Sequence, residues 1–578
     1  RHFTTAVAQL LLYDESSGEL MEYASAGTVT ASLTPLRRTA LGEGPLGSAA
    51  AMRETRVERS PEPLLLPSDV FGGTPRVVVA VPSTCPPLRS ADHGNDDRRS
   101  LASIRPPDRR PLVIDRIRAR WGAAGGYRDF LRIAFPLILS TASWSIQHFV
   151  DRIFLTWYST NALAAALPSG MINFIAVSYF MGLASYVNTF VAQYTGAGRD
   201  DRVGHAVWQG NYLSLVAGCV GLGFAWLAVP IFDLIGHDQA IRDHEVVYFR
   251  VLCYGIAPLI LSTSLSCFYS GRGRTWSVLA VSAASTAFNI VVNYALIFGH
   301  FGAPEMGIRG AAWATNASAA FACVLYLLLL ARRRYRQRYS TFSGWRFDPA
   351  LFRRLLKFGG PNGVSFMLDM LSFTFFILIV GRIGTLELTA TNLAFNINSL
   401  AFMPLIGAGI ALSTLVGQRL GADDPDGAEY STWTGIQLAV SYMGVMSVAY
   451  FSLPDLFLMP YGVGASGADF EAARDLAVVL LRFVALYCIF DMLFIVLTAA
   501  LKGAGDTRYV MYVSVLLGFA VMVIPSYVAH QFFGSSIYVL WMFLCAMLMS
   551  SGIVFYFRFR GGKWKSMRVI EESPPPEL

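Results

Sequence analysis

Ala331–Pro361, ARRRYRQRYSTFSGWRFDPALFRRLLKFGGP, is the stretch on which the reading of this chain turns. Arginines crowd it from Arg332 to Arg354, with Lys357 just beyond, and long apolar runs flank it on both sides. A basic cluster that dense between membrane spans belongs on the cytoplasmic side. The chain on either side of it carries one pattern twice. Shifted by 225 positions, Pro136 falls on Pro361, Ser140 on Ser365, Leu163 on Leu388 and Asn173 on Asn398. The same shift sets Gly182 on Gly407, Thr189 on Thr414, Gln193 on Gln418 and Gly196-Ala197 on Gly421-Ala422. With seven further positions Arg250 meets Arg482, Gly271 meets Gly503 and Thr275 meets Thr507. The stretch is a hinge between two homologous membrane halves.

Composition agrees. Of 578 residues, 54% are hydrophobic and only 15% charged, against about a quarter charged in a soluble domain. The charges are segregated, which leaves nearly charge-free runs of about 20 residues, the length that spans a bilayer. The net charge of +7 sits in loops beside the spans, so it reports topology and not a nucleic-acid footprint. The seven cysteines form no close pairs and read as packing residues. No secretory leader is read ahead of the first span, and the start at Arg1 leaves the native N-terminus open.

Residues 1–85 are different material. AVAQLLLYDESSGELMEYASAG alternates as two strands about a Ser-Ser-Gly turn, LGEGPLGSAAA opens a short helix, and RVVVAVP has a buried-strand pattern. These pieces, LGEGPLG above all, resemble the first half of a GAF domain, a partial α+β segment too short to close a ligand pocket. A vestigial or fused fragment is the expectation. Residues 86–113 read as a disordered Pro-, Asp- and Arg-rich linker. Residues 114–130, IDRIRARWGAAGGYRDF, read as an amphipathic helix at the membrane interface.

Twelve apolar segments follow. The fold expected is an all-α polytopic membrane protein: a six-helix bundle over 131–331, a cytoplasmic basic linker over 332–352, a second six-helix bundle over 353–560 and a tail over 561–578. Basic residues gather before the first span and after the second, fourth, eighth, tenth and twelfth, and the opposite loops have about one each (Arg242, Arg309, Arg382, Arg474). Both termini are therefore expected inside, and an even six spans per half makes the halves related by a pseudo-twofold along the membrane normal.

The polar residues that the repeat does not share are the informative ones. Asp151 matches Phe376, Asp369 matches Trp144, Asp491 matches Leu259, and Asn289 and Asn293 match Val521 and Pro525. A carboxylate at mid-span costs roughly 2.5–3.5 kcal/mol on insertion scales, so it needs a partner or a purpose. Asp369 has no basic residue near it in its own span, and Tyr487 lies one turn before Asp491 on the same face. Two carboxylates and a phenol in one bundle can coordinate Na⁺ or share a proton. In the other half Ser140, Trp144, Gln147 and Asp151 share one face of the first span, Asn289 and Asn293 lie a turn apart on the fifth, and Thr315 lies in the sixth. The plain alternative is that these groups only join helices together. No Walker pattern is present, and no histidine pair has zincin spacing.

FVDRIF in the first span, VAQYTGAGR and VGQRLGA closing the second and eighth, and KGAGDTR after the tenth resemble the multidrug and toxic compound extrusion family over residues 130–560. GHFGAPEMGIRGAAWAT and NLAFNINSLAFMPLIGAGIALSTLVGQRLG resemble its bacterial norfloxacin-exporter branch. The resemblance implies that Asp369, Tyr487 and Asp491 hold the coupling cation, and that Asp151, Asn289, Asn293 and Thr315, with Gln147 beside them, form an N-terminal polar site. Two residues depart from the branch: Asp369 stands where it has Glu, and Arg152 where it has a small residue. The expectation is a monomeric plasma-membrane antiporter that is not an enzyme. It would export hydrophobic or cationic small molecules against Na⁺ or H⁺ by alternating access, with the lipid bilayer as its surround, no further cofactor and no nucleic-acid partner. A lipid-linked or polysaccharide flippase and a membrane sensor with a GAF input are the rival readings.

Overall fold

The computed structural model describes residues 8–14, 19–25, 37–40, 79–82, 118, 120–462, 468–534 and 536–571, in two units, Arg1–Asp108 and Arg109–Leu578. In the first unit four strands, β1 (Ala8–Asp14), β2 (Glu19–Ser25), β3 (Arg37–Ala40) and β4 (Val79–Pro82), form one antiparallel sheet in the order β3-β2-β1-β4. The expected hairpin pairs Tyr13 with Leu20 and Leu12 with Met21, and a register shift interrupts it at Leu10/Leu11. The strand at Arg37–Ala40 has no apolar alternation to mark it in the sequence. The expected helix at LGEGPLGSAAA, the 86–113 linker and the start of the 114–130 helix lie outside the described residues.

The second unit is helical among its described residues. Ten helices are long and apolar enough to cross a membrane, and twelve segments result if each of two bent pairs counts as one span. The first half runs through span 1 (Tyr127–Tyr158), span 2 (Thr160–Ser185 with Val187–Gly196), span 3 (Asp200–Trp226 with Ala228–Ile235) and span 4 (Gln239–Tyr254 with Ile256–Ser270). Span 5 (Thr275–Phe298) and span 6 (Ile308–Leu330) complete it. After the short linker helix Arg333–Arg338 come span 7 (Pro349–Ile383), span 8 (Thr385–Gly421), span 9 (Pro425–Ser452) and span 10 (Ala468–Ala504). Span 11 (Thr507–Leu517 with Ile524–Phe533) and span 12 (Ile537–Arg560) close the second half.

Local chemistry explains the ends and the bends. Span 7 starts at Pro349, ahead of the apolar run, because Asp348 caps it by accepting from the backbone N–H groups of Ala350 and Leu351. Asp424 and Pro425 do the same for span 9. Span 3 bends by 52° at Leu227 and span 4 by 43° at Gly255. In each case a proline three residues on, Pro230 or Pro258, removes a helical donor and crowds the carbonyl four residues before it. Span 11 loosens into a π turn at Gly518–Val523 just before Pro525.

The two halves meet by matched contacts. Gln193 Nε2 donates to the Gly503 carbonyl at 3.1 Å, and its repeat mate Gln418 donates to the Gly271 carbonyl at 2.8 Å. Gly271 and Gly503 are themselves repeat mates. Gly196 lies against the Gln418 carbonyl and Gly421 against the Gln193 carbonyl, each so close that a Cβ would overlap it. Asn188 donates to Thr414 at 3.0 Å, Tyr186 to the Lys502 carbonyl at 2.8 Å and Asn362 to the Gly182 carbonyl at 2.6 Å. All of these residues lie in the part of their spans nearest the basic loops. Thr141, at mid-span, donates to the Met403 carbonyl at 3.1 Å. Beyond that height no hydrogen bond joins the halves among the described residues, and the first half there has a separate apolar cluster around Phe154, Leu155 and Ile297.

Candidate functional site

In the first half, spans 1 and 5 pack together and bring Asp151 to Asn293, whose amide donates to the carboxylate. Asn289, one turn earlier on span 5, is wholly buried, and neither its amide nitrogen nor its oxygen has a partner; the Asn293 oxygen is also unpaired. A buried amide left unpaired costs about 1–3 kcal/mol, so this pair keeps hydrogen-bonding capacity in reserve beside a carboxylate. Gln147 is buried one turn before Asp151. Thr315 stands apart in its bonding, since its hydroxyl donates to the Ala311 carbonyl of its own helix at 3.1 Å. Ser140 meets Ser282 of span 5 at 2.6 Å and helps to seat span 1 on span 5.

In the second half, Asp369 on span 7 is half-buried and accepts from Ser365, one turn before it, at 3.4 Å. Tyr487 and Asp491 on span 10 are both buried. Asn398 of span 8 donates to the Tyr487 hydroxyl at 3.4 Å and has its own carbonyl oxygen unpaired. Span 8 packs against both span 7 and span 10. Among the described residues no hydrogen bond joins Asp369 to Tyr487 or Asp491. Sequence alone marks Asn398 only as the mate of Asn173; its place beside Tyr487 follows from helix packing. Lys502 stands in the last turn of span 10, where its backbone carbonyl accepts from Tyr186 across the seam. In sequence it marks topology only.

The tail carries a second feature that sequence patterning does not mark. After span 12, Trp564 is buried and stacks on Phe559 with ring centroids 4.9 Å apart. Lys565 pairs with Asp426 at 2.9 Å and Glu429 at 2.6 Å, which ties the segment to the second half. The Val569 N–H then donates to Gln193 Oε1 at 2.9 Å. Glu571 accepts from Tyr194 at 2.8 Å and Arg199 at 2.6 Å, and lies 3.4 Å from both Arg202 and Arg354. Residues 563–571 are thus a strap across both halves at the basic-loop end. Burial disfavours the Glu571 carboxylate, but backbone and Tyr194 hydrogen bonds and the charges of Arg199 and Arg202 outweigh it and hold it below the usual glutamate range.

The sequence model of the MatE family matches residues 136–295 and again residues 361–528, so both halves match and their starts are offset as the repeat is. The chain is 28% identical over 436 residues to a Brucella suis biovar 1 protein called "Probable multidrug resistance protein NorM", covering 74% of this chain and 92% of that one. It is also 28% identical over 386 residues to "Multidrug resistance protein PmpM" of Pseudomonas aeruginosa, covering 66% of this chain and 80% of that one. Among solved structures, the eukaryotic MATE transporter AtDTX14 superposes with a TM-score of 0.67 at 20% identity, over 76% of this chain and 96% of that one. A MATE family transporter described in an outward-facing conformation superposes with a TM-score of 0.67 at 15% identity, over 77% of this chain and 98% of that one. With both halves matched and the helical fold shared, the chain belongs to the MatE family of multi-pass membrane transporters.

Proposed function

We propose that this protein is a secondary antiporter that exports hydrophobic or cationic small organic molecules in exchange for Na⁺ or H⁺. The observation that carries the reading is the placing of acids and amides inside the spans of both halves, Asp369 and Tyr487 near mid-span with Asp491 one turn nearer the basic loops, and Asp151, Asn289 and Asn293 beyond mid-span. Asp369, Asp491 and Tyr487, with Asn398 beside the phenol, supply the oxygen ligands or the proton site for the coupling cation. Asp151, Asn293 and Asn289, with Gln147 and Thr315 nearby, supply a second polar site in the first half. The relatives called multidrug resistance proteins support export of drugs as the task.

The reciprocal Gln193–Gly503 and Gln418–Gly271 contacts support a pseudo-twofold between the halves, since in such an interface each contact recurs with its partners exchanged. With the basic loops cytoplasmic, the seam closes the inside and the state is outward-facing, for a monomer with both termini inside. Alternating access then requires the seam and the strap to part. A ligand can drive that change only through its differential affinity for the two states, which is the role of the acids.

The test is drug efflux from proteoliposomes under imposed Na⁺ or H⁺ gradients, applied separately. Efflux driven by one gradient and lost in both Asp369→Asn and Asp491→Asn supports the reading. Full gradient-driven efflux by the double variant removes the second half from the coupling.

A further inference from the structure

At the basic-loop end, where the first turns of span 7 and span 11 lie side by side, there is an open concavity of about 760 Å³ lined by Ala350, Arg353, Arg354, Leu356, Lys357 and Arg508. Four of its six lining residues are cations and none is an acid. Arg353 and Lys357 are four apart and share a face of span 7, and Arg508 is the second residue of span 11, where the free backbone N–H groups add positive potential. Arg354 is engaged with Glu571 of the strap at 3.4 Å, but Arg353, Lys357 and Arg508 make no ion pair among the described residues. The general bias of basic residues toward inside loops explains cations near span ends, each solvated on its own. It does not explain the convergence of four of them on one concavity, where a single anion would meet several at once.

We propose that this cavity binds the phosphate headgroup of an anionic membrane lipid, seated from the flank of the bundle between spans 7 and 11. Size and lining favour the lipid over a free ion. The volume is that of a whole small ligand, many times what a lone phosphate needs. The aliphatic stems of the three basic residues of span 7, with Leu356 and Ala350, offer apolar walls for the glycerol and the tops of the acyl chains. The height is right as well, since the lining residues sit within the first three turns of spans that begin at Pro349 and Thr507. Cation clusters between spans on that side of a membrane recognise anionic headgroups through such charges.

The experiment uses the purified full chain in detergent, titrated separately with dioctanoyl phosphatidylglycerol, dioctanoyl phosphatidylcholine and inorganic phosphate, and read by thermal stabilisation and native mass spectrometry. The anionic lipid is expected to bind and to stabilise, with the zwitterionic lipid much weaker and inorganic phosphate unable to displace it. Each exposed cation removed costs about fivefold in affinity, so Lys357→Gln with Arg508→Gln should weaken binding roughly twenty-five-fold. Arg333→Gln with Arg334→Gln, on the neighbouring linker helix outside the cavity, should leave it within about twofold on the same reasoning. Equal losses in the two double variants would assign the effect to diffuse surface charge and overturn the proposal. Displacement by inorganic phosphate, equal binding of the zwitterionic lipid, or no stabilisation by the anionic one would each overturn it too.

Discussion

The strap gives the sharpest prediction. Glu571→Gln keeps the shape of the side chain and removes its charge, so Tyr194 and Arg199, at 2.8 and 2.6 Å, keep a neutral acceptor. The Tyr194 bond becomes neutral and the Arg199 ion pair becomes a charge–dipole contact, each change worth about 1 kcal/mol. The pairs at 3.4 Å with Arg202 and Arg354 add at most a few tenths each, because all of these side chains are a fifth or more exposed and solvent screens them. The total is about 2 kcal/mol, a shift of roughly thirtyfold toward the state in which the basic-loop end has opened. Thr414 reports it: the residue is fully buried in the seam against Asn188, so a thiol in its place reacts with maleimide only when the halves part. In membranes, Thr414→Cys should label roughly thirtyfold faster when Glu571→Gln is added, after subtraction of labelling in the parent without Thr414→Cys. The sign with pH follows from the lowered Glu571 pKa. The latch energy is fully present above the released pKa and is lost as pH falls through the lowered, latched one, so labelling divided by the rate of an exposed reference thiol at the same pH should be flat near neutrality and rise only in acid. A labelling rate unchanged by Glu571→Gln in protein that still folds would refute the strap as a latch.

Gly421→Ala drives a Cβ into the Gln193 carbonyl and should open the same seam, seen as faster labelling at Thr414→Cys; Gly444→Ala, where a Cβ meets nothing, is the control. Asn289→Leu removes two unpaired buried polar atoms and should raise thermal stability by about 1–2 kcal/mol while reducing efflux, whereas a loss of both would make Asn289 structural. Tyr487→Phe removes one oxygen and no charge, so its efflux should fall less than that of Asp491→Asn; Asp369→Glu should keep transport, measured under separate Na⁺ and H⁺ gradients. Asp151→Asn should be the most damaging change if the first half drives coupling, and efflux equal to the parent would exclude that site. Deleting residues 1–110 should leave transport unchanged at matched expression, since a segment this short has little core to bury.

What the sequence determined by itself is what depends on near neighbours. Runs of apolar residues set the spans, because every backbone group in lipid must be bonded within its own helix. The offset between Pro136 and Pro361 revealed the two halves, and the unmatched Asp151, Asp369 and Asp491 stood out against the repeat for the same local reason. Span ends moved by a few residues where polar caps, Asp348 and Asp424, extend helices past the apolar run. The kinks at Leu227 and Gly255 were written in Pro230 and Pro258, although the hydrophobic pattern runs straight through them. Only the tertiary structure decided which polar groups have partners. Asn293 meets Asp151 across 142 positions and Asn398 meets Tyr487 across 89, while Asn289 is left with none. The tail showed most clearly what sequence omits: Glu571 looked like one acid in a short polar end, and it closes on Tyr194, Arg199 and Arg354 only because two halves bring those residues to one place. Periodicity reports which face of a helix is apolar, but not which neighbour that face will meet, and here the neighbours make the site.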